Sequence, residues 1–175
     1  VTGALAMIDM CGPLLLGYLD MPIIRFGTKT RIAVDARAIG DWLGSFGGMP
    51  DQIVVEHQQP MMRGEGLNVG ATSGFVLGIM FGGIISVLSG LGVPLSFTTP
   101  KQWKTKCDLI ARDKRIVLDR ARGIFGVEPA FAHGRGFGDQ GAAIARADAA
   151  LVGYFGLSER VTGPRTAPPT ELAVG

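Results

Sequence analysis

With 175 residues, 47% of them hydrophobic and 18% charged, the chain has the composition of a compact globular domain, which excludes a disordered or fibrous protein. A net charge of +2 excludes a polycation. The two cysteines, Cys11 and Cys107, have no CxxC spacing and no accompanying histidine cluster, which argues against a disulfide framework or a zinc site and fits a reducing cytoplasm.

Val1 to Met10 lacks the basic leader and cleavage site of a signal peptide, and the absence of an initiator Met marks a processed chain or a fragment. Gly3 to Asp9 and Leu14 to Met21 read as adjoining strands joined by the Cys11-Gly12-Pro13 turn, with Asp20-Met21-Pro22 ending the second. Thr30 to Val34 is a further short strand. Asp35 then N-caps a helix reaching Phe46, which Gly47-Gly48-Met49-Pro50 stops.

Ile53, Val54 and Val55, all β-branched, form a short buried strand that delivers Glu56 at its tip. A carboxylate where a strand leaves the core faces a cleft and suits metal or proton chemistry; a strand cap or a salt bridge is the plainer alternative. His57 to Pro60 start a polar loop that continues through Met61 to Gly66 into a helix over about Asn68 to Ser89. Within it, Gly74 to Val93 carries no charge over twenty residues, enough to cross a bilayer, and Gly70, Gly74, Gly78 and Gly82 recur in GxxxG spacing. Dilution by glycine and serine, and the lack of flanking basic or aromatic anchors, argue against a membrane span. The pattern predicts instead a helix whose glycine stripe lies flat on a sheet.

Val93 to Thr98 is a fifth strand, Pro100 opens a basic helical region, and a final helix runs from about Gln140 to Leu157. Strands first, then alternation, then helices give an α/β domain with a mixed sheet over residues 1–157. Residues 158–175 hold three prolines and little apolar material, and are expected to be a disordered tail. Between Lys101 and Arg122, eight basic residues face Asp108, Asp113 and Asp119, leaving that segment net basic on a near-neutral chain. Such a segment is a nucleic-acid face or a solvated pair of charged helices.

Five motifs in order resemble the RuvC-type Holliday junction resolvases of phage and bacteria, over nearly the whole chain to about Leu157. Val1-Thr2-Gly3-Ala4-Leu5-Ala6 resembles the continuation of the family's opening motif, Asp-Pro-Gly followed by a Gly-Ala-Leu-Ala-like strand turn, and Asp20-Met21-Pro22 its Asp-Met-Pro. Val54-Val55-Glu56, with Pro60-Met61 and Gly64-Glu65-Gly66, resembles the second acidic motif and its loop. Pro100-Lys101-Gln102-Trp103-Lys104 resembles the Pro-x-x-Trp-Lys element, and Ala145-Arg146-Ala147-Asp148-Ala149-Ala150-Leu151 the closing helix.

The resemblance implies an RNase H-like mixed five-stranded sheet flanked by helices, its first strand missing or incomplete because the family's leading Asp precedes the position of Val1. It implies a Mg²⁺-dependent, two-metal endonuclease cleaving branched DNA such as four-way junctions, and a homodimer. Glu56 and Asp148 would be metal-binding and catalytic, and Lys101, Lys104 and Lys114 would hold phosphates. Trp103 is either a DNA-facing aromatic or an apolar anchor for the next helix. Ile144 stands where the family carries a metal-side residue one turn before its final acid. Asp139 reads as the N-cap of the last helix, with His133 and Arg135 in the loop before it. With the leading Asp and that residue absent, the chain as given is expected to bind metal poorly and to cut little or no DNA. A non-catalytic RNase H-like module that binds branched nucleic acid is the alternative, and no P-loop supports a nucleotide-binding protein.

Overall fold

The computed structural model describes residues 3–9, 11–27, 31–57, 71–110, 114–126, 129–132 and 137–158. The Met61 to Gly66 loop, His133, Arg135 and the expected tail beyond Ser158 lie outside them.

The first described elements are an antiparallel hairpin of β1 (Ala4–Asp9) and β2 (Leu14–Asp20), paired from Ala4 opposite Asp20 to Asp9 opposite Leu14 with a register shift between Met7 and Ile8. The Asp9 carboxylate accepts from the Cys11 backbone N–H at 2.9 Å and closes the turn, as short acidic side chains do. β3 (Ile23–Phe26), not foreseen from the sequence, pairs antiparallel with β4 (Arg31–Val34). Asp35 caps α1 (Ala36–Gly44) as expected, accepting from the Ala38 N–H at 3.1 Å.

β5 (Ile53–Glu56) and β6 (Leu95–Thr98) run parallel, with α2 (Ala71–Ser89) in the crossover between them, the arrangement parallel strands require. α3 (Pro100–Lys106) starts directly after β6. Its capping box pairs Thr99 with Gln102, with Pro100 in the first turn. α4 (Lys114–Phe125), a short 3₁₀ turn (Pro129–Phe131) and α5 (Phe137–Ser158) complete the chain. Because α5 begins at Phe137, Asp139 lies in its first turn and is not its N-cap.

The result is an α/β architecture with antiparallel and parallel pairs, as the pattern of elements indicated. The six strands pair two by two, β1 with β2, β3 with β4 and β5 with β6. Among the described residues, hydrogen bonding does not join them into the five-stranded sheet expected.

Alternation along the strands separates two cores. Ala6 and Ile8 of β1 and Val54 of β5 pack on the cluster of α3, α4, the 3₁₀ turn and α5, where Trp103, Leu118, Phe131, Ala147 and Leu151 are buried. Leu5 and Met7 of β1, with Ile53 and Val55 of β5, face α1 and α2, where Ile39, Leu43, Met80 and Leu88 are buried. α5 lies close to both strands because Gly153 and Gly156 carry no Cβ. One added at Gly153 would meet Ile8 Cδ1 at 2.6 Å, and one at Gly156 would overlap Val54 Cγ2.

The glycine stripe of α2 does not lie on the sheet. Added Cβ atoms at Gly74, Gly78 and Gly82 would meet nothing within 4 Å, whereas Gly83 rests on Val34. The exposed face of α2 carries Phe75, 70% exposed, and Ile79, 41% exposed. Among the described residues, no helix is long and apolar enough to cross a membrane.

Candidate functional site

Among the described residues, β1 pairs with β2 and β5 with β6, and residues of β1 and β5 line one cavity of about 780 Å³. Leu77, Met80, Phe81 and Ile84 of α2 line it, as do Ile144, Ala149, Val152 and Gly153 of α5. The cavity explains a departure from the sequence expectation. Ile53, Val54 and Val55 form the strand anticipated, yet each is only half-buried, because one edge of β5 borders open space.

Glu56, at the tip of β5, Asp148 on α5 and Lys104 on α3 all line this same cavity. The route by which Trp103 reaches Glu56 is local. Glu56 stands opposite Thr98 in the β5–β6 register, and α3 begins at Pro100, so one turn of helix brings the indole beside the carboxylate. Trp103 Nε1 donates to Glu56 Oε2 at 2.5 Å. Trp103 is 0% exposed, which corrects its placement as a DNA-facing aromatic. It is the anchor of α3, and burial of an indole N–H requires the acceptor that Glu56 provides.

Asp148 lies between the buried Ala147 and half-buried Ala149 on α5, and its Oδ1 is shielded from solvent. One turn away, Ile144 lines the same wall and offers no donor atom. Two residues before Asp148, Arg146 grips β2: Nε and Nη2 donate to Asp20 at 2.6 and 2.5 Å, and Nη1 donates to the Ala130 carbonyl at 3.4 Å. Its guanidinium lies over the Tyr18 ring, 4.5 Å from the centroid. The Arg146 hydrogen bonds, helped by its charge and opposed by partial burial, hold the Asp20 carboxyl below its ordinary value of 3.8. The sequence motifs contain both residues but do not link them. The signal is an Asp and an Arg each fixed in a recognised motif, and only the fold supplies their pairing.

The basic residues divide by position. Lys104, half-buried, sits over the Trp103 ring at 5.2 Å and borders the cavity. Lys101 is exposed on the same helix, and Arg115 and Arg120 are exposed on α4. Lys114 opens α4, with its side chain outside the described residues. Cys11 and Cys107 are both free thiols, and burial pushes the Cys107 thiol up against a smaller opposing effect of Arg120.

The fit to a metal depends on this donor set. Hard Mg²⁺ takes carboxylate oxygens and water, which is the chemistry of Glu56 and Asp148. Among the described residues, however, no three His, Cys, Asp or Glu side chains cluster. Asp9 is occupied with its own turn. Among the described residues, the acids therefore do not make the two-ion centre that the resemblance implies.

No protein-family model matches the sequence, and no curated protein matches it. Among solved structures, the chain is similar to T. thermophilus RuvC in complex with a Holliday junction substrate, at 20% identity and a TM-score of 0.48, over 89% of this chain and 95% of that one. A second structure, of Thermus thermophilus RuvC, is similar at 18% identity and a TM-score of 0.43, over 90% of this chain and 96% of that one.

Proposed function

We propose that residues 1–157 form the core of an RNase H-like, structure-selective endonuclease for branched DNA, four-way junctions included. The carrying observation is that Glu56 and Asp148, from motifs far apart in sequence, border one cavity with Lys104. Lys101, Lys104 and Lys114 hold DNA phosphates as point charges, so recognition runs through backbone and shape and not through base edges. Glu56 and Asp148 would be the residues to hold Mg²⁺, whose chemistry there would be activation of a water and stabilisation of the leaving oxygen. Among the described residues two acids serve that task where a third is needed, so residues 1–175 bind metal weakly and cut little or no DNA. The exposed Phe75–Ile79 face of α2 is the proposed homodimer contact.

The test incubates the 175-residue chain with a four-way junction and with a linear duplex of equal length, with and without Mg²⁺. The expected outcome is preferential junction binding without strand cleavage. Robust Mg²⁺-dependent cutting would refute the inactivity, and equal affinity for the linear duplex would remove the structure selectivity.

A second reading, a module that binds branched nucleic acid without ever cutting it, is favoured by Ile144 on the wall beside Asp148. The two separate on a version extended ahead of Val1 by a strand bearing an Asp. Junction nicking by that protein supports the nuclease, and binding alone supports the module.

A further inference from the structure

We infer that Trp103 is a positioning residue, which holds the Glu56 carboxylate in the orientation it presents to the cavity. Such a role rests on the nuclease reading, in which Glu56 holds metal, and adds to it a residue that touches neither metal nor DNA. Trp103 Nε1 donates to Glu56 Oε2 at 2.5 Å. An indole N–H only donates, so its role cannot be exchanged by a flip or a change of tautomer, as that of an amide or imidazole can.

The donor is fixed by the core. Trp103 is fully buried in one cluster with Cys107, Leu118 and Phe131, where close packing holds a large rigid ring in place. The acceptor, by contrast, is a flexible side chain at a half-buried strand tip. A ligand side chain that loses rotamer freedom on binding binds less tightly than one already held. The Trp103 N–H removes that freedom beforehand, as a hydrogen bond behind a ligating carboxylate does.

The backbone closes a circuit around the pair. Glu56 stands opposite the buried Thr98, and the His57 N–H donates to the Thr98 carbonyl at 2.7 Å, which keeps the tip of β5 on β6. Thr99 then caps α3: the Gln102 N–H donates to its Oγ1 at 3.3 Å, and the Trp103 backbone N–H donates to its carbonyl at 3.3 Å. The indole bond back to Glu56 completes the ring. Burial of Trp103 does not by itself call for this acceptor. A backbone carbonyl or a neutral amide satisfies an indole at lower desolvation cost than a carboxylate, yet the acceptor is the acid that lines the cavity with Asp148 and Lys104.

The experiment replaces Trp103 of the 175-residue chain by benzothienylalanine, whose ring has the shape of indole with sulfur in place of the N–H. Mn²⁺ binding, at up to millimolar concentrations, is read by electron paramagnetic resonance, and folding by the thermal midpoint. The expected result is a Mn²⁺ affinity lowered on the order of tenfold, while fluorotryptophan at the same position, which keeps the donor, leaves it unchanged. Glu56→Gln is expected to lower the affinity by at least as much, and benzothienylalanine to lower it no further in that background, because Trp103 acts through Glu56. A lowered thermal midpoint at unchanged Mn²⁺ affinity would reduce Trp103 to a core anchor and overturn the inference. An equal loss of affinity in the Glu56→Gln background would overturn it too, by showing that Trp103 does not act through that carboxylate. Mn²⁺ binding that Glu56→Gln leaves unaltered would instead strike the metal role of Glu56, removing the nuclease reading and the positioning role together.

Discussion

At the scale of single residues, the site is organised by two hydrogen-bonded pairs, each tying an acid to a helix. Trp103→Phe keeps a ring in place and deletes the N–H that Glu56 Oε2 accepts, leaving a part-buried carboxylate oxygen short of a donor. That is expected to lower stability by about 1–3 kcal/mol, read as a reduced urea midpoint at unchanged slope. The Arg146–Asp20 pair responds to acid with a definite sign. Asp20 titrates lower in the folded protein than its ordinary 3.8, so its contribution is complete above that pH and is lost as pH falls through the lower folded value. Arg146→Met is expected to cost about 1 kcal/mol at neutral pH, modest because Asp20 is half exposed. The deficit relative to the unsubstituted chain should shrink in urea titrations carried below pH 3.8.

Among elements, α5 carries the closest packing, and its two glycines differ in what surrounds them. At Gly153 an added Cβ meets the flexible end of Ile8, and alanine also gains helix propensity of up to ~1 kcal/mol, so Gly153→Ala is expected to be near neutral. At Gly156 the obstacle is the short, branched Val54, and Gly156→Ala is expected to destabilise by about 1–3 kcal/mol. Thermal melts of the two variants side by side check the contrast. On α2, Phe75→Glu is expected to shift any dimer toward monomer in light scattering at micromolar concentration without changing the melting temperature, since Phe75 is 70% exposed. The local signals were legible in the sequence: the β-branched run that delivers Glu56, the Asp35 cap, the Pro100 helix start. Which way the α2 glycines face was not, because GxxxG spacing records periodicity and leaves the partner unnamed. Neither was the pairing of strands, which joins residues such as Glu56 and Thr98 across a long crossover. β3, four residues directly after Pro22, was too short to stand out from a loop.

On the scale of the molecule, charge and topology act together. Lys101 is exposed on α3, and under the proposed phosphate contact Lys101→Ala is expected to weaken junction binding evenly across sequences and to reduce the log–log salt slope by about 1. Titrations at several salt concentrations measure it. The acids of the site were legible as residues, but their meeting depends on α5, the last described helix, lying along β1, the first described strand. That same feature governs how the chain folds as it is made. Until α5 (Phe137–Ser158) has been synthesised, Ala6 and Ile8 lack the cover that this helix gives them. The core around α5 therefore closes late and through contacts distant in sequence, which slows folding and exposes an apolar hairpin to aggregation during synthesis. Nascent chains arrested before Phe137 are expected to be captured by chaperones and released once α5 has emerged.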